Sequence, residues 1–534
     1  MQEGLHSLSV RHLRSFGENS PAIPIKPINI FVGRNSCGKS TFLRTFPLLR
    51  QSIQADTKSP ILWFGSLVDF GDFDTALHDG GGKEISFEFH TTLEISKESR
   101  WGVEFEFDDS DESSSDRFFD AIITISISRV SATQLKTKLL FRLDSSCIEI
   151  IYSGNDIERA VAYNHLHDLR VGFPLRVIAD HGALIPLNLR GLREVKRDGA
   201  SFSPKRFSLV NTLYQDSTRF LVDYIESLHH ASKSKAKIRD AVIGLSLRCK
   251  ENLLFEIQEA FPRDKFFLKN LEANKDAVVD VVFTLLVARE FNSFLKSADG
   301  LFKSFFSGVR YQAPLRAAGE RFYRYQDLRV DEVDHTGSNL PMVINSLDLS
   351  KQKKLSDWIL ENFGFELLLS ARGLHYEIQV KEEGDKNFHN ISDMGFGYSQ
   401  ILPVIVSIWL EFVADFRRRP LGVARTKGPR IMVLEQPELH LHPALQYKFG
   451  QAIAKVASRA HRADLYFVIE THSKHLIDAL GESIRASEID ESTVNIALFE
   501  KMDDGVTNTA ISGFDSDGYL INWPVGFLSP DYDN

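Results

Sequence analysis

The stretch Gly33-Arg34-Asn35-Ser36-Cys37-Gly38-Lys39-Ser40-Thr41 decides the reading of this chain. It has the spacing of a glycine, four residues and then Gly-Lys-Ser/Thr, the pattern of a loop that cradles nucleotide phosphates. The apolar run PINIFV at 27–32 leads into it and the helix-favouring SerThrPheLeuArgThrPhe at 40–46 follows, so the order is strand, loop, helix. In that setting backbone N–H groups of residues 33–41 point at an anion where the helix begins. Lys39 is placed to neutralise the β and γ phosphates of ATP, and the Ser40 hydroxyl to ligate Mg²⁺. Pro47 should kink or shorten the helix within its first turns.

Three further stretches have chemistry to offer. The strand-like Ile431-Met432-Val433-Leu434 ends in Glu435-Gln436-Pro437-Glu438, and a carboxylate at a strand's end is suited to the Mg²⁺ side of a phosphate site; Glu435 is that acid. The continuation to His440 and His442 alternates a carboxylate with two histidines, which permits a metal reading; a turn before a helix opening at Pro443 accounts for the same spacing. Asp393-Met394-Gly395-Phe396-Gly397-Tyr398-Ser399-Gln400 puts small residues at the start of the apolar helix ILPVIVSIWLEF. Glu470-Thr471-His472-Ser473 follows the strand LYFVIE, where one histidine gains meaning from the other motifs.

A chain of 534 residues is long enough for two or three structural units with large cores. With 43% hydrophobic and 25% charged residues it reads as globular, and no apolar run approaches the length of a membrane span. Cys37, Cys147 and Cys249 are odd in number and widely spaced, against a disulfide framework, and MQEGLHSLSVRHLRSF lacks a secretory pattern, so the expected compartment is the cytoplasm. A formal net charge of −9 gives no global pull toward nucleic acid, although a local basic face is compatible with it. Between about 85 and 152 the runs EISFEFHTTLEI, WGVEFEFD, AIITISISRV and KLLFRLDSSCIEIIYS predict an antiparallel meander, with DDSDESSSD at 108–116 as a solvated spacer. From about 205 to 305, apolar residues at three- and four-residue spacing predict long helices, and from 309 strand and helix alternate, which implies a mainly parallel sheet.

Taken in order, FVGRNSCGKSTFL, DMGFGYSQILPV, IMVLEQPELHLHP and VIETHSKHLI resemble ABC-type ATPases of the OLD-like and SMC-like branch of P-loop proteins. LRSF at 13–16, FGSLVDFGDF at 64–73 and YQAPLRAAGERFY at 311–323 are similar to that family too. The resemblance implies an α/β fold, a split ABC-type head with an antiparallel β subdomain and an inserted helical arm. Its parts are 1–150, with the phosphate loop and meander; 151–308, mainly helical; and 309–534, completing the head.

It further implies that Gly395, Gly397, Ser399 and Gln400 contact the γ phosphate of ATP held by the opposite subunit of a homodimer or higher homo-oligomer. His472 would sense the γ phosphate, and residues 438–442 would touch the partner. Where related ATPases carry a water-orienting glutamate this chain has Gln436, an amide that can place water and cannot take its proton, so hydrolysis should be slow unless Glu438 substitutes.

OLD-family nucleases continue into a Toprim domain, and residues 473–534 are too few for one. The chain therefore most resembles the PtuA ATPases of Septu-type and some retron antiphage systems. That resemblance implies a separate HNH-type nuclease as partner, nucleic acid (DNA, RNA or a retron product) as a possible ligand, and no membrane. The alternative is an SMC-like repair or maintenance ATPase that clamps DNA itself, for which the run SerLysSerLysAlaLysIleArgAsp at 232–240 is the candidate basic face.

Overall fold

The computed structural model describes residues 3–55, 57, 59–80, 82–95, 118–131, 134–195, 206–324, 326, 328–373, 375–413, 428–460 and 465–524. The run WGVEFEFD, the acidic spacer 108–116 and the C-terminal FLSPDYDN lie outside these residues. The chain divides into two compact units: Met1–His12, Ser52–Leu62 and Gly81–Lys303 form the first, and Leu13–Gln51, Trp63–Gly80 and Ser304–Asn534 the second.

The first unit is an antiparallel sheet with helices. Its strands Glu84–Glu94, Phe118–Ser131, Gln134–Leu143, Ser146–Ser153 and Asp156–Asn164 pair each with the next, the expected meander, and Gly4–Arg11 pairs with Glu84–Glu94. The alternation of these strands buries one set of side chains, among them Phe87, Phe89, Ile123, Ile125, Leu139 and Phe141. Strand structure continues through Val177–His181, Pro186–Val195 and Arg206–Val210, so the segment 151–308 expected to be mainly helical is strand-rich up to Val210. Period-two segments there are short and rich in turns, which hid them from a reading led by the longer helical pattern beyond.

Helices occupy Thr212 to Ser307. Lys275–Arg289 is buried on all sides from Val278 onward, and ring contacts Phe119–Phe283, Phe141–Phe291 and Phe89–Phe302 fix helices to the sheet. The meander therefore groups with the helical segment, not with the phosphate loop.

The second unit is built on a sheet in the order Val309–Gln312, Arg430–Glu435, Leu465–Glu470, Ile28–Gly33, Val494–Lys501, Thr507–Phe514, Leu520–Ile521. The first five strands run parallel. Such strands are covered on both faces and read as continuous apolar runs, and IMVL, VI and INIFV are accordingly buried. One covering layer includes the helix Phe396–Val413, whose run from Ile401 to Leu410 packs into the core with Phe449 and Leu476. A helix opens at Pro443, as the proline at its first position predicts. Among the described residues no helix is long and apolar enough to cross a membrane.

Candidate nucleotide site

The strand Ile28–Gly33 is buried throughout and delivers the chain into the loop at the carboxyl end of the sheet, where ligands bind in open α/β folds. A Cβ on Gly33 would stand 2.3 Å from the Phe499 carbonyl oxygen and 2.6 Å from Cys37 Sγ, so only glycine fits. Ser36 takes the left-handed region at φ 62°, and Gly38 does the same at φ 96°. Thr507 Oγ1 clamps the loop by donating to the Cys37 carbonyl at 3.0 Å. Arg34, Asn35 and Ser36 are exposed, Cys37 and Lys39 are buried, and Ser40 and Thr41 are half-buried.

The helix that follows covers Lys39–Leu43, breaks at Arg44 and resumes as Thr45–Gln54. Pro47 explains the break. It has no N–H for the carbonyl of Leu43, four residues back, and its ring crowds that carbonyl.

Adjacent strands end in two carboxylates held side by side, since Glu435 and Glu470 are register partners in the parallel ladder. Both are buried, at 3% and 1% exposure. Glu435 receives Arg44 through two hydrogen bonds, Nε to Oε2 at 3.0 Å and a terminal guanidinium nitrogen to Oε1 at 2.6 Å, and the Tyr311 hydroxyl donates to Oε2 at 2.8 Å. Burial would lower the pKa of Arg44, and the bonds and charge of Glu435 outweigh it, so the pKa is raised. Lys39 Nζ donates to the carbonyls of Gly33 at 3.0 Å and Arg34 at 2.8 Å and faces Glu470 at 3.8 Å. Burial pushes the Glu470 carboxyl up, while hydrogen bonding to Ser40 pulls it down.

The turn after Glu435 is conformationally restricted: Gln436 has φ 45° and His440 φ 65°, both non-glycine residues in the left-handed region. The Gln436 N–H donates to the Glu470 carbonyl at 2.9 Å, and Gln436 is half-buried. Glu438 turns inward, is 8% exposed, and accepts from the His472 backbone N–H at 2.6 Å. Burial raises its carboxyl, with Arg316 among the opposing influences. His440 and His442 are exposed and so diverge from Glu438. The His472 side chain reaches solvent, yet partial burial and then the Lys39 charge lower its pKa.

The helix Phe396–Val413 begins within the small-residue stretch, leaving Gly395 exposed with open space where a Cβ would stand, whereas a Cβ on Gly397 would lie 2.8 Å from the His440 carbonyl oxygen. Ser399 is buried and its hydroxyl donates to the Phe396 carbonyl at 2.7 Å. Gln400 is 0% exposed, and its amide accepts from the Arg316 N–H and donates to the Arg316 carbonyl, both at 3.0 Å. Gly395, Gly397, Tyr398 and the His440–His442 turn line a cleft of about 450 Å³ that also includes Lys448 and no phosphate-loop residue.

Four side chains of the site were not singled out individually by the motifs. Glu470 ends its strand as Glu435 does, and that parallel between LYFVIE and IMVLE was the available signal. Arg44 lies one helical turn beyond the loop. Tyr311 and Arg316 sit in the family-like YQAPLRAAGERFY; Arg316 is 4% exposed and donates to the main-chain carbonyls of Glu435 at 3.2 Å and Gln400 at 3.3 Å. Burial lowers its pKa to about 10 against the attraction of Glu438. The site thus sets Lys39, Arg44 and Arg316 against Glu435, Glu438 and Glu470, three cations and three carboxylates.

The oxygen donors Ser40, Glu435 and Glu470 suit a hard cation such as Mg²⁺, which takes one or two carboxylates and completes its shell with phosphates and water. Among the described residues no group of three or more His, Cys, Asp or Glu is arranged to hold a metal by itself, and such a mixed shell does not require one.

Two family models match the chain: one described as "AAA domain, putative AbiEii toxin, Type IV TA system" over residues 28–240, and one described as "AAA ATPase domain" over residues 323–477. No curated protein matches. Solved structures that align along nearly the whole chain include the Smc head domain of Pyrococcus furiosus bound to the C-terminal domain of ScpA, 13% identical with 96% of each chain covered and a TM-score of 0.33. Another is the SMC head domain of Thermotoga maritima, 10% identical over 95% of this chain and 98% of that one, at a TM-score of 0.34. These likenesses are too low to carry an argument. The first family segment contains the phosphate loop and the second contains Glu435, Glu470 and His472, and the chain is an ATPase of mixed α/β fold.

Proposed function

We propose that this ATPase is a slowly turning regulator: ATP held at residues 33–41 links two copies of the chain, and the linked state governs a separate nuclease in antiphage defence. The observation that carries the reading is the meeting of Lys39 and Ser40 with two strand-end carboxylates, Glu435 and Glu470, at the end of one parallel sheet. Lys39 exchanges its loop carbonyls for phosphate oxygens. Ser40 and Glu435 hold Mg²⁺, which supplies charge neutralisation at the β and γ phosphates. Gln436 orients water, Glu438 is the nearby candidate to accept its proton, and His472, held toward its neutral form, reads the terminal phosphate. Gly395, Gly397, Ser399 and Gln400 are the segment offered to the second copy.

The link to defence is supported by the resemblance to PtuA ATPases and by the matched family's description as a putative toxin of a type IV toxin–antitoxin system. A DNA-clamping role would draw on the run at 232–240, where two of the four basic side chains are engaged with acids, Lys233 with Asp264 and Lys235 with Asp223 and Glu226, and Lys237 and Arg239 are exposed.

Sedimentation with and without Mg-ATP tests the reading together with Lys39→Ala. A charge-assisted hydrogen bond contributes about 1.5–3 kcal/mol, so the variant should bind ATP roughly 10- to 150-fold more weakly and fail to associate, with its fold retained. Equal affinity in both proteins excludes this site, and association that ignores ATP excludes the clamp.

A further inference from the structure

Glu470 has no part in the phosphate-loop pattern or in the acid that ends IMVLE, yet it occupies the centre of the site. Its strand lies between the phosphate-loop strand and the Glu435 strand, and the ladder sets it beside Phe31 on one side and Glu435 on the other. Its carboxylate is 1% exposed and stands 3.8 Å from Lys39 Nζ. One oxygen, Oε2, is buried without a hydrogen-bond partner. Burying a carboxylate with an unsatisfied oxygen beside a second carboxylate is unfavourable unless a positive group completes the set. Arg44 is committed to Glu435 by two hydrogen bonds, and Lys39 is shared with two carbonyls.

We propose that Glu470 is a second metal-side carboxylate, which acts with Ser40 and Glu435 to hold the divalent cation that accompanies ATP. This rests on the nucleotide reading above. Its register beside Glu435 and its approach to Lys39 put Glu470 on the cation's side of the phosphates, whereas Glu438, bonded to the His472 N–H, belongs to the turn where water is placed. The strand-end register supplies rigidity: a carboxylate on a buried strand holds its position better than one on a loop.

The full chain loaded with a non-hydrolysable ATP analogue tests this, with Mn²⁺ as the probe and electron paramagnetic resonance as the readout. Glu470→Gln should raise the Mn²⁺ concentration needed for half-saturation by about 10- to 100-fold, the range typical of ligand-supporting groups at metal sites. In EDTA the same variant should bind the analogue at least as tightly as wild type, because a negative charge near Lys39 is gone. Glu470→Asp, which keeps the charge and shortens the arm, should give an intermediate Mn²⁺ response and serves if the glutamine variant does not fold. Half-saturation unchanged in both folded variants while Glu435→Gln shifts it overturns the role of Glu470 and leaves the nucleotide site standing. If none of the three shifts it, the nucleotide reading itself fails. Loss of hydrolysis in Glu470→Gln with unchanged Mn²⁺ binding makes Glu470 a proton acceptor and likewise overturns the proposal.

Discussion

Gln436 and Glu438 lie two residues apart and differ in what they can do to water. General-base assistance contributes about 10²- to 10⁴-fold, and Gln436 cannot provide it. Wild-type turnover should therefore be slow, and Gln436→Glu should raise it toward that range in a steady-state phosphate-release assay. Glu438 is the competing candidate, since burial raises its carboxyl and a more basic carboxylate abstracts a proton better. Fast wild-type hydrolysis that stops in Glu438→Gln and is indifferent to Gln436→Glu would transfer the role to Glu438. His472 gives a separate residue-level check. Because burial and Lys39 lower its pKa, the folded chain favours the neutral ring. The corresponding stability is present above the unfolded value near 6.5 and is lost as pH falls through the lower folded value. Titration of the His472 ring by NMR should give a midpoint below 6.5, and Lys39→Ala should move it upward; a midpoint unaffected by the lysine would remove Lys39 from its environment.

At the scale of elements, the turn 436–442 and the start of the helix Phe396–Val413 behave as one packed unit. A Cβ on Gly397 would stand 2.8 Å from the His440 carbonyl oxygen, and the Phe396 ring stands edge-on to the His440 ring at 4.9 Å. Gly397→Ala must displace the turn and should cost about 1–3 kcal/mol of stability, whereas Gly395→Ala, with open space at its Cβ, should cost well under 1 kcal/mol. Chemical denaturation of the two variants measures the difference, and equal losses would show that the turn yields freely. The same contact shows what sequence could and could not disclose. The phosphate loop was readable because nine consecutive residues carry it, and IMVLE and LYFVIE because buried parallel strands are uninterrupted apolar runs. The pairing of Gln400 with Arg316 is not legible locally, because it depends on which face of the helix Gln400 occupies, and the helix turns it inward. Glu470 went unassigned because its neighbours Glu435 and Ser40 are far away in the chain and become adjacent only through strand order.

For the molecule as a whole, the same limit governs where the domains divide. The meander and the helices each leave a local pattern; that they share one unit, and that strands persist to Val210, follows from packing and pairing that local patterns do not encode. The sheet that holds the nucleotide site is interleaved likewise: the strand Ile28–Gly33 is flanked by Leu465–Glu470 and Val494–Lys501, so its two neighbours come from late in the chain. On a ribosome adding about 5–20 residues per second, roughly 25–90 s separate emergence of the loop from emergence of the strand that completes its bed. Until the last of these strands emerges, the GKST sequence lacks its complete backing sheet. The bed of the phosphate loop is thus completed late in synthesis, once strands from both ends of the chain have met.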